Sequence, residues 1–335
     1  MSATGADIRR VCRPFMEADD TRAWIEFGVT FVLFVLSLLT ALNSIGNWFI
    51  LPFAIVATTA TALRIYMIQH DCLHRAFFAS NRMNDILGTL ISPIAMTPYQ
   101  ATRYIHNQHH AHVADLDRRD TFEIYVMTLK EWEASSGFRR LWYRLYRSPV
   151  TLILVGPFVF WVILRRLPLA GFKTGIWDLV VHNLLFVAMN YAIWLYAGWP
   201  GIAVWAAAVY IACAGGALIP YCVHNFENVH WGVKPGLDFE TAALEGSSVL
   251  DWGRAFDLVT MNIAYHDLHH LYAKIPGYKL KAAHQALEAE DLIQSEKIGF
   301  IDSLKCLRWK LYDEDNLKMV PFPKGRVLVP ASEDA

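Results

Sequence analysis

The chain is poor in charged residues and has almost no net charge. Only 18% of its 335 residues are Asp, Glu, Lys or Arg, 55% are hydrophobic, and the formal net charge is −1 at pH 7. Soluble domains usually carry more charge and fewer apolar residues. Nucleic-acid binding needs a clustered basic face, for which this balance gives no support. The composition therefore indicates an integral membrane protein with no nucleic-acid partner.

Paired cysteines are also missing. The chain has five scattered cysteines and no CxxC motif: Cys12, Cys72, Cys213, Cys222 and Cys306. Neither a disulfide framework nor a zinc ribbon is expected, and the thiols should be reduced, as in the cytosol. Residues 1–22 are polar and lack the short apolar core and cleavage site of a secretory signal. We expect them to form a polar lead-in to the first membrane span.

Four long apolar runs are present, each close to the twenty or so residues that cross a bilayer. They occupy residues 24–42, 48–68, 179–196 and 202–223. Short turns join them in two pairs, which predicts two transmembrane hairpins. Two further apolar segments, 85–96 and 150–164, are shorter and contain proline, and we expect them to be interfacial or re-entrant.

Histidine is concentrated in three clusters, which we call the first box (70–74), the second box (106–110) and the third box (266–270). They contain His70, His74, His106, His109, His110, His266, His269 and His270. Positions i, i+3 and i+4 share one helix face, so each box points two or three imidazoles in one direction. Imidazole suits iron, copper, zinc or nickel, and eight imidazoles exceed what one zinc ion uses. We therefore predict a shared site for two metal ions.

Positive charge predicts where the boxes lie. The turns within the two hairpins contain no Lys or Arg, whereas arginines precede the first run and crowd between the two pairs. By the positive-inside rule, both termini and the central segment are cytosolic. Four crossings then put all three boxes on the cytosolic side, which agrees with a shared metal site.

Other metal sites fit the pattern less well. Soluble di-iron carboxylate bundles repeat a Glu-x-x-His motif on two helices, and here the motif occurs once, at residues 227–230. A hydrolytic zinc site would use three histidines and leave the others without a role. No Met or Cys is placed for a blue-copper site, although other copper geometries stay open.

The order and spacing of the boxes resemble the membrane fatty acid desaturase family. The likeness covers about residues 63–278 and includes segments between the boxes. Residues 97–99 and 116–121, on either side of the second box, resemble the family's second motif. Four other segments are similar to the acyl-lipid omega-6 and omega-3 (delta-12-like) branch: residues 143–149, 224–227, 245–248 and 262–265.

This resemblance implies an all-α integral membrane fold with four transmembrane helices in two hairpins, short interfacial helices and a cytosolic helical cap. A single domain, 23–325, would lie between the lead-in 1–22 and a tail, 326–335. The resemblance also implies that the eight box histidines and His224 bind two iron ions. Asp71, Glu227 and Asp267 are candidates for orienting those ligands. We expect His112, His230 and His284 to lie near the surface.

The activity implied by the resemblance is the O2-dependent introduction of a cis double bond into a fatty-acyl chain carried on lipid, coenzyme A or carrier protein. An apolar tunnel should hold the chain, and a separate electron donor, expected to be ferredoxin, should supply electrons. A lipid, alkane or carotenoid hydroxylase or ketolase on the same ligand set is the main alternative. A metal transporter or sensor fits less well, because transport needs ligands at mid-membrane and the boxes lie outside the spans.

Overall fold

The computed structural model describes residues 5–121, 124–167 and 171–323, and helices dominate these residues. The predicted tail, 326–335, lies outside the described residues. The α-helices are α1 (Gly5–Cys12), α2 (Asp20–Asn43), α3 (Leu51–Leu73), α4 (Asn81–Leu90), α5 (Ser92–Ala95), α6 (Tyr99–Ala111), α7 (Leu129–Glu133), α8 (Gly137–Tyr146), α9 (Gly171–Thr174), α10 (Ile176–Val223), α11 (Phe239–Glu245), α12 (Arg254–Val259), α13 (His266–Leu271), α14 (Gly277–Ala289) and α15 (Phe300–Cys306).

Helices α2 and α3 cover the first two predicted apolar runs and pack against each other. The side chain of Asp19 caps α2 by accepting a hydrogen bond from the backbone N–H of Arg22 at 2.9 Å. More than half of the surface of Val29, Val32 and Leu36 is exposed on the outer face of α2. A face this apolar is stable in lipid rather than in water.

The third and fourth apolar runs form one helix, α10, of 48 residues. A straight helix of that length would extend about 72 Å, more than twice the roughly 30 Å of a bilayer core. The backbone breaks at Gly198, where φ is +63° and ψ is −158°, a conformation that glycine adopts without a Cβ clash. The four predicted runs therefore correspond to three helices that are long and apolar enough to cross a membrane, among the residues described.

The apolar segment 150–164 is not a regular helix. Two π-helical turns, Thr151–Val155 and Phe158–Ile163, flank Gly156 and Pro157. Helix α8 and the segment 151–166 meet at 55°, which makes the pair either a broken span or a re-entrant element. Its re-entrant character stays a prediction.

The other short apolar segment, 85–96, is held against the end of α3. The side-chain amide of Gln69 donates to the carbonyls of Gly88 and Thr97 at 2.9 and 3.1 Å. The Thr97 hydroxyl donates back to the Gln69 side-chain oxygen at 2.6 Å. These buried bonds attach α4 and α5 to the helix that carries the first box.

The cap contains short strands that the sequence analysis missed. Strand β1 (Met127–Thr128) pairs in parallel with β4 (Leu311–Asp313), which pairs antiparallel with β5 (Lys318–Val320), so that Leu311 lies opposite Val320. Strands β2 (Val249–Asp251) and β3 (Lys297–Gly299) form a parallel pair in which Leu250 lies opposite Ile298. Strands of two or three residues are too short to show the alternation by which strands are recognised.

Residues 5–22 of the predicted lead-in are a structured part of the cap. Helix α1 buries Ile8, Val11 and Cys12 in an apolar cluster that includes Leu280 and Leu287 of α14. This contact joins the start of the chain to the segment that follows the third box.

The contact between α4 and the buried ring of Tyr99 gives a stability test. A Cβ added at Gly88 would lie 2.3 Å from the Tyr99 ring, whose hydroxyl is bonded to the Cys72 carbonyl at 2.7 Å. We expect Gly88→Ala to lower the free energy of unfolding by about 1–3 kcal/mol, measured as a lower Tm in detergent. Gly28→Ala is the matched control, because no atom lies within 4 Å of the added Cβ. Equal melting temperatures for the two variants would contradict this packing.

Candidate metal centre

The three boxes, far apart in sequence, meet at one place in the fold. The first box is the last turn of α3 and the residue after it, the second is on α6, and the third is the first turn and a half of α13. His224 follows the last residue of α10 and joins them. Most of these imidazoles therefore lie at or next to the end of a helix.

The nine histidines predicted as ligands form two groups. Within each group, one nitrogen from each ring lies within 4.8 Å of the corresponding nitrogen of every other ring. The five-histidine group is His70, His74, His106, His110 and His269. The four-histidine group is His109, His224, His266 and His270.

Nitrogen spacing within the five-histidine group matches a metal site. The Nε2 atoms of His106 and His110 lie 3.1 Å apart, as do those of His110 and His269. Two nitrogens bound at right angles to one metal ion, each at about 2.1 Å, would be separated by about 3 Å. The rings are therefore already spaced as ligands of one ion would be.

The four-histidine group has the same spacing. The Nε2 atoms of His224, His266 and His270 lie 3.1–3.2 Å from one another. The Nδ1–H of His224 donates to the Gly246 carbonyl at 2.9 Å, which leaves the Nε2 lone pair directed into the group. This hydrogen bond fixes both the tautomer and the orientation of that ring.

Burial keeps these imidazoles neutral. It lowers the pKa of His224 to about 4, an effect that the bond to Gly246 only partly opposes. Burial, followed by repulsion from neighbouring rings, sets the pKa of seven more well below the usual value: His74, His106, His109, His110, His266, His269 and His270. Neutral imidazole has a free lone pair, so the cluster can bind cations at pH 7 without first losing protons.

The two box carboxylates hold the boxes to neighbouring segments. Asp71 accepts a hydrogen bond from the backbone N–H of Gly277 at 2.7 Å, which ties the first box to α14. Asp267 accepts one from its neighbour Leu268 at 2.7 Å and another, a short one, from the Ser295 hydroxyl. Both carboxylates thus position backbone segments that carry or support the ligands.

The structure corrects the surface position expected for His284. This residue is completely buried, with its Nε2 2.9 Å from the Ser295 hydroxyl and 3.4 Å from the Asp267 carboxylate. A signal in the sequence could have shown this, because His284 shares one helix face with Leu280 and Leu287 at spacings of four and three residues. His284 therefore supports the third box from behind.

The remaining polar candidates lie further out. Glu227 is exposed, and its backbone carbonyl accepts a hydrogen bond from the N–H of Met319 at 2.8 Å. This placement gives no support to a role for Glu227 in orienting a ligand. His112 has its Nδ1 3.7 Å from Asp115, and His230 is partly exposed, 4.0 Å from Glu245.

A chamber lies against both histidine groups. Its other walls are mainly apolar and come from α3, α6, the end of α10 and the segment before α13: Tyr66, Met67, Ile105, Ile219, Pro220 and Ile263. Two polar lining residues escaped the sequence analysis, Arg147 and Asn225, which are joined by a hydrogen bond of 2.5 Å. The chamber can hold an apolar molecule beside the imidazoles.

The buried contacts of His284 predict that it is required for stability. We expect His284→Ala to lower the free energy of unfolding by about 1–3 kcal/mol, because it leaves polar partners unsatisfied in a buried site. Melting in detergent measures the loss. His230→Ala removes the same ring from a partly exposed position and should leave Tm almost unchanged. A surface role for His284 would make the two variants equivalent.

The lowered pKa values predict that the metal-free protein loses stability on acidification. The unfolded chain binds protons at these histidines below about pH 6.5, whereas folded His224, with a pKa of about 4, does not. The unfolded state therefore gains protons first, and Tm should fall between about pH 7 and about pH 5. Replacing His224 with Gln should make this fall in Tm shallower. An unchanged slope of Tm against pH would contradict the lowered pKa of His224.

Comparison with known proteins agrees with this geometry. The sequence model of the fatty acid desaturase family matches residues 46–296. A fatty acid desaturase of Bacillus subtilis is 32% identical over 312 residues, covering 92% of this chain and 88% of the relative.

Two further relatives are more distant. The chloroplastic omega-6 fatty acid desaturase of Spinacia oleracea is 27% identical, with 84% of this chain matching 62% of that protein. The sn-1 oleoyl-lipid 12-desaturase of Synechocystis is 24% identical over 84% of this chain and 80% of its own. These matches confirm the family expected from the boxes. The chain belongs to the fatty acid desaturase family of membrane oxidoreductases.

Proposed function

We propose that this desaturase introduces a cis double bond into a lipid-bound acyl chain at a pair of iron ions held by its nine clustered histidines. The observation that carries the proposal is the division of these histidines into two adjacent groups with ligand-like nitrogen spacing. Each group is large enough to hold one ion.

The reaction favours iron over the other metals that imidazole binds. Removing two hydrogens from a saturated chain is an oxidation, and zinc has no redox chemistry. Iron, when bound, supplies the activation of O2. Reduction of O2 to two waters takes four electrons and four protons, of which the acyl chain supplies two of each. The other two electrons come from an external donor, and the other two protons come from solvent.

The protein's own contribution is to position the substrate and exclude water. A methylene group has no polar handle, so its location must be set by the shape of an apolar cavity. The chamber meets this need, because apolar side chains line it and His70, His106, His109, His224 and His266 form one wall. The name of the Synechocystis relative, an oleoyl-lipid desaturase, supports lipid as the carrier here.

The proposed topology has four crossings: α2, α3 and the two parts of α10 on either side of Gly198. Contacts of α10 with α6 support it. Near the start of α10, Asp178 accepts a hydrogen bond from the N–H of Ala101, at 3.0 Å. Just after its end, the ring of His224 lies 5.0 Å from that of His109. Both ends of α10 thus reach one 13-residue helix, as expected if α10 turns back at Gly198.

This topology leaves the boxes and both termini cytosolic and keeps residues 23–325 as a single membrane domain. Arginines precede the first crossing and lie between the hairpins, whereas the turns at the far ends of the hairpins have no Lys or Arg. A cytosolic site is open to a soluble electron donor, for which we propose ferredoxin.

The test is turnover by purified protein loaded with iron and supplied with O2, ferredoxin, its reductase and a lipid carrying a labelled acyl chain. We expect a product that is two hydrogens lighter, detected by mass spectrometry. A product one oxygen heavier would show a hydroxylase and overturn the proposal.

Variants in both groups connect the activity to the metal. His109→Ala and His269→Ala should each reduce turnover to background and lower the iron content measured by elemental analysis, because each removes one member of a group. His230→Ala, outside both groups, should keep iron and activity. Full turnover after either ligand substitution would contradict the ligand assignment.

A further inference from the structure

The two histidine groups differ in their access to the outer surface. In the four-histidine group, His224, His266 and His270 are buried, and the partly exposed His109 lines the chamber. In the five-histidine group, His74 and His110 are partly exposed, and neither is among the described residues that line the chamber. These two histidines are therefore the partly exposed members of the cluster that lie outside the chamber wall.

Four cations lie at the backbone next to His74 and His110, and we call them the basic rim: Arg75, Arg103, Lys234 and Lys274. Two of them reach over the end of α3, beside His74. The Nε of Arg103 donates to the Leu73 carbonyl at 3.0 Å, and the Nζ of Lys274 donates to the Arg75 carbonyl at 3.2 Å.

The other side of the rim is at the end of α6. There the Nζ of Lys234 donates to the Ala111 carbonyl at 3.2 Å, next to His110 in the chain. The rim thus has members next to both of these partly exposed histidines in the chain.

The rim carries excess positive charge. Arg75 is paired with Asp85 at 2.7 Å, and Lys234 lies 3.9 Å from Asp115. Arg103 and Lys274 have no carboxylate within 4 Å among the described side chains, and their carbonyl partners do not cancel a full charge. Burial, followed by the nearby Arg75 and Arg103, lowers the pKa of Lys274, as expected where cations crowd together.

We propose that the basic rim is the docking site of an acidic ferredoxin, and that electrons enter the metal centre through His74 and His110. The proposal rests on the desaturase function proposed above. A patch of one sign attracts a partner of the opposite sign and orients it during encounter. The chamber contacts the histidines on other faces, so the acyl chain and the donor do not compete for one entrance.

The electron count defines what docking must deliver. Each double bond needs two electrons besides those from the acyl chain. Two reduced ferredoxins, each oxidised by one electron, therefore dock in turn, and solvent supplies two protons. The product is one unsaturated chain and two waters for each O2.

Charge changes on the rim test the proposal. Initial rates are measured against ferredoxin concentration for Lys274→Glu and for the double variant Arg103→Gln with Lys274→Gln. At low ionic strength we expect KM for ferredoxin to rise by about 5- to 10-fold, with kcat at saturating ferredoxin unchanged. The difference should disappear near 1 M salt, where the screening length is about 3 Å.

Lys318→Glu is the matched control. Lys318 is an exposed cation on β5, which pairs with β4. This strand contributes no residue to the basic rim. Lys318→Glu changes the net charge as much as Lys274→Glu does, but it should leave the KM for ferredoxin the same as in the native protein. An equal rise in KM for both variants would show a general charge effect and overturn the assignment to the rim.

A single-turnover assay separates docking from catalysis. Each variant is reduced with dithionite, without ferredoxin, and then mixed with O2 and lipid substrate. Product and iron per chain should match those of the native protein. Normal product together with an unchanged KM for ferredoxin in both rim variants would overturn the docking site.

Two other outcomes have distinct meanings. No dehydrogenated product from the native protein in the dithionite assay would mean that the proposed function itself fails. Turnover sustained by an acidic haem protein, and not by ferredoxin, would overturn the choice of partner.

Discussion

The structure depends on the close approach of nine neutral imidazoles in a largely buried site. Nitrogens only 3.1–3.2 Å apart are a poor arrangement unless a cation lies among them. Protonation does not relieve the crowding, because burial lowers the pKa of His224 and, together with repulsion from neighbouring rings, the pKa of His266 and His270. The surrounding protein must therefore hold the rings in place, and binding of a metal ion would stabilise this arrangement.

Several weak contacts, each from a different segment, maintain this arrangement. Asp71 ties the first box to α14 through Gly277, and buried His284 and Ser295 of the same region support Asp267 in the third box. Helix α1 in turn packs on α14. The polar start of the chain and the segment after the third box thus form a brace on one side of the metal centre. The chamber lies on another side and is built mainly from α3, α6 and α10.

Much of the site was predictable because residues three and four positions apart in a helix lie on the same face. Histidines three and four residues apart had to point in one direction, and their number indicated two ions. His224 was added by resemblance and lies in the cluster. The apolar runs were predictable for a similar reason, since bilayer thickness sets their length. The same reasoning failed for His284, where the apolar periodicity of α14 was overlooked, and the role of Glu227 in orienting a ligand stays a prediction.

The sequence by itself determined the membrane class, the apolar runs and the eight box histidines, because these follow from composition, length and local periodicity, whereas His224 came from the family resemblance. Tertiary structure alone decided which five and which four histidines form each group, since members of one group come from segments up to about two hundred residues apart. It also decided that the short strands pair across the cap and that cations from four segments lie near His74 and His110. Such features depend on contacts between distant residues, which local spacing does not encode.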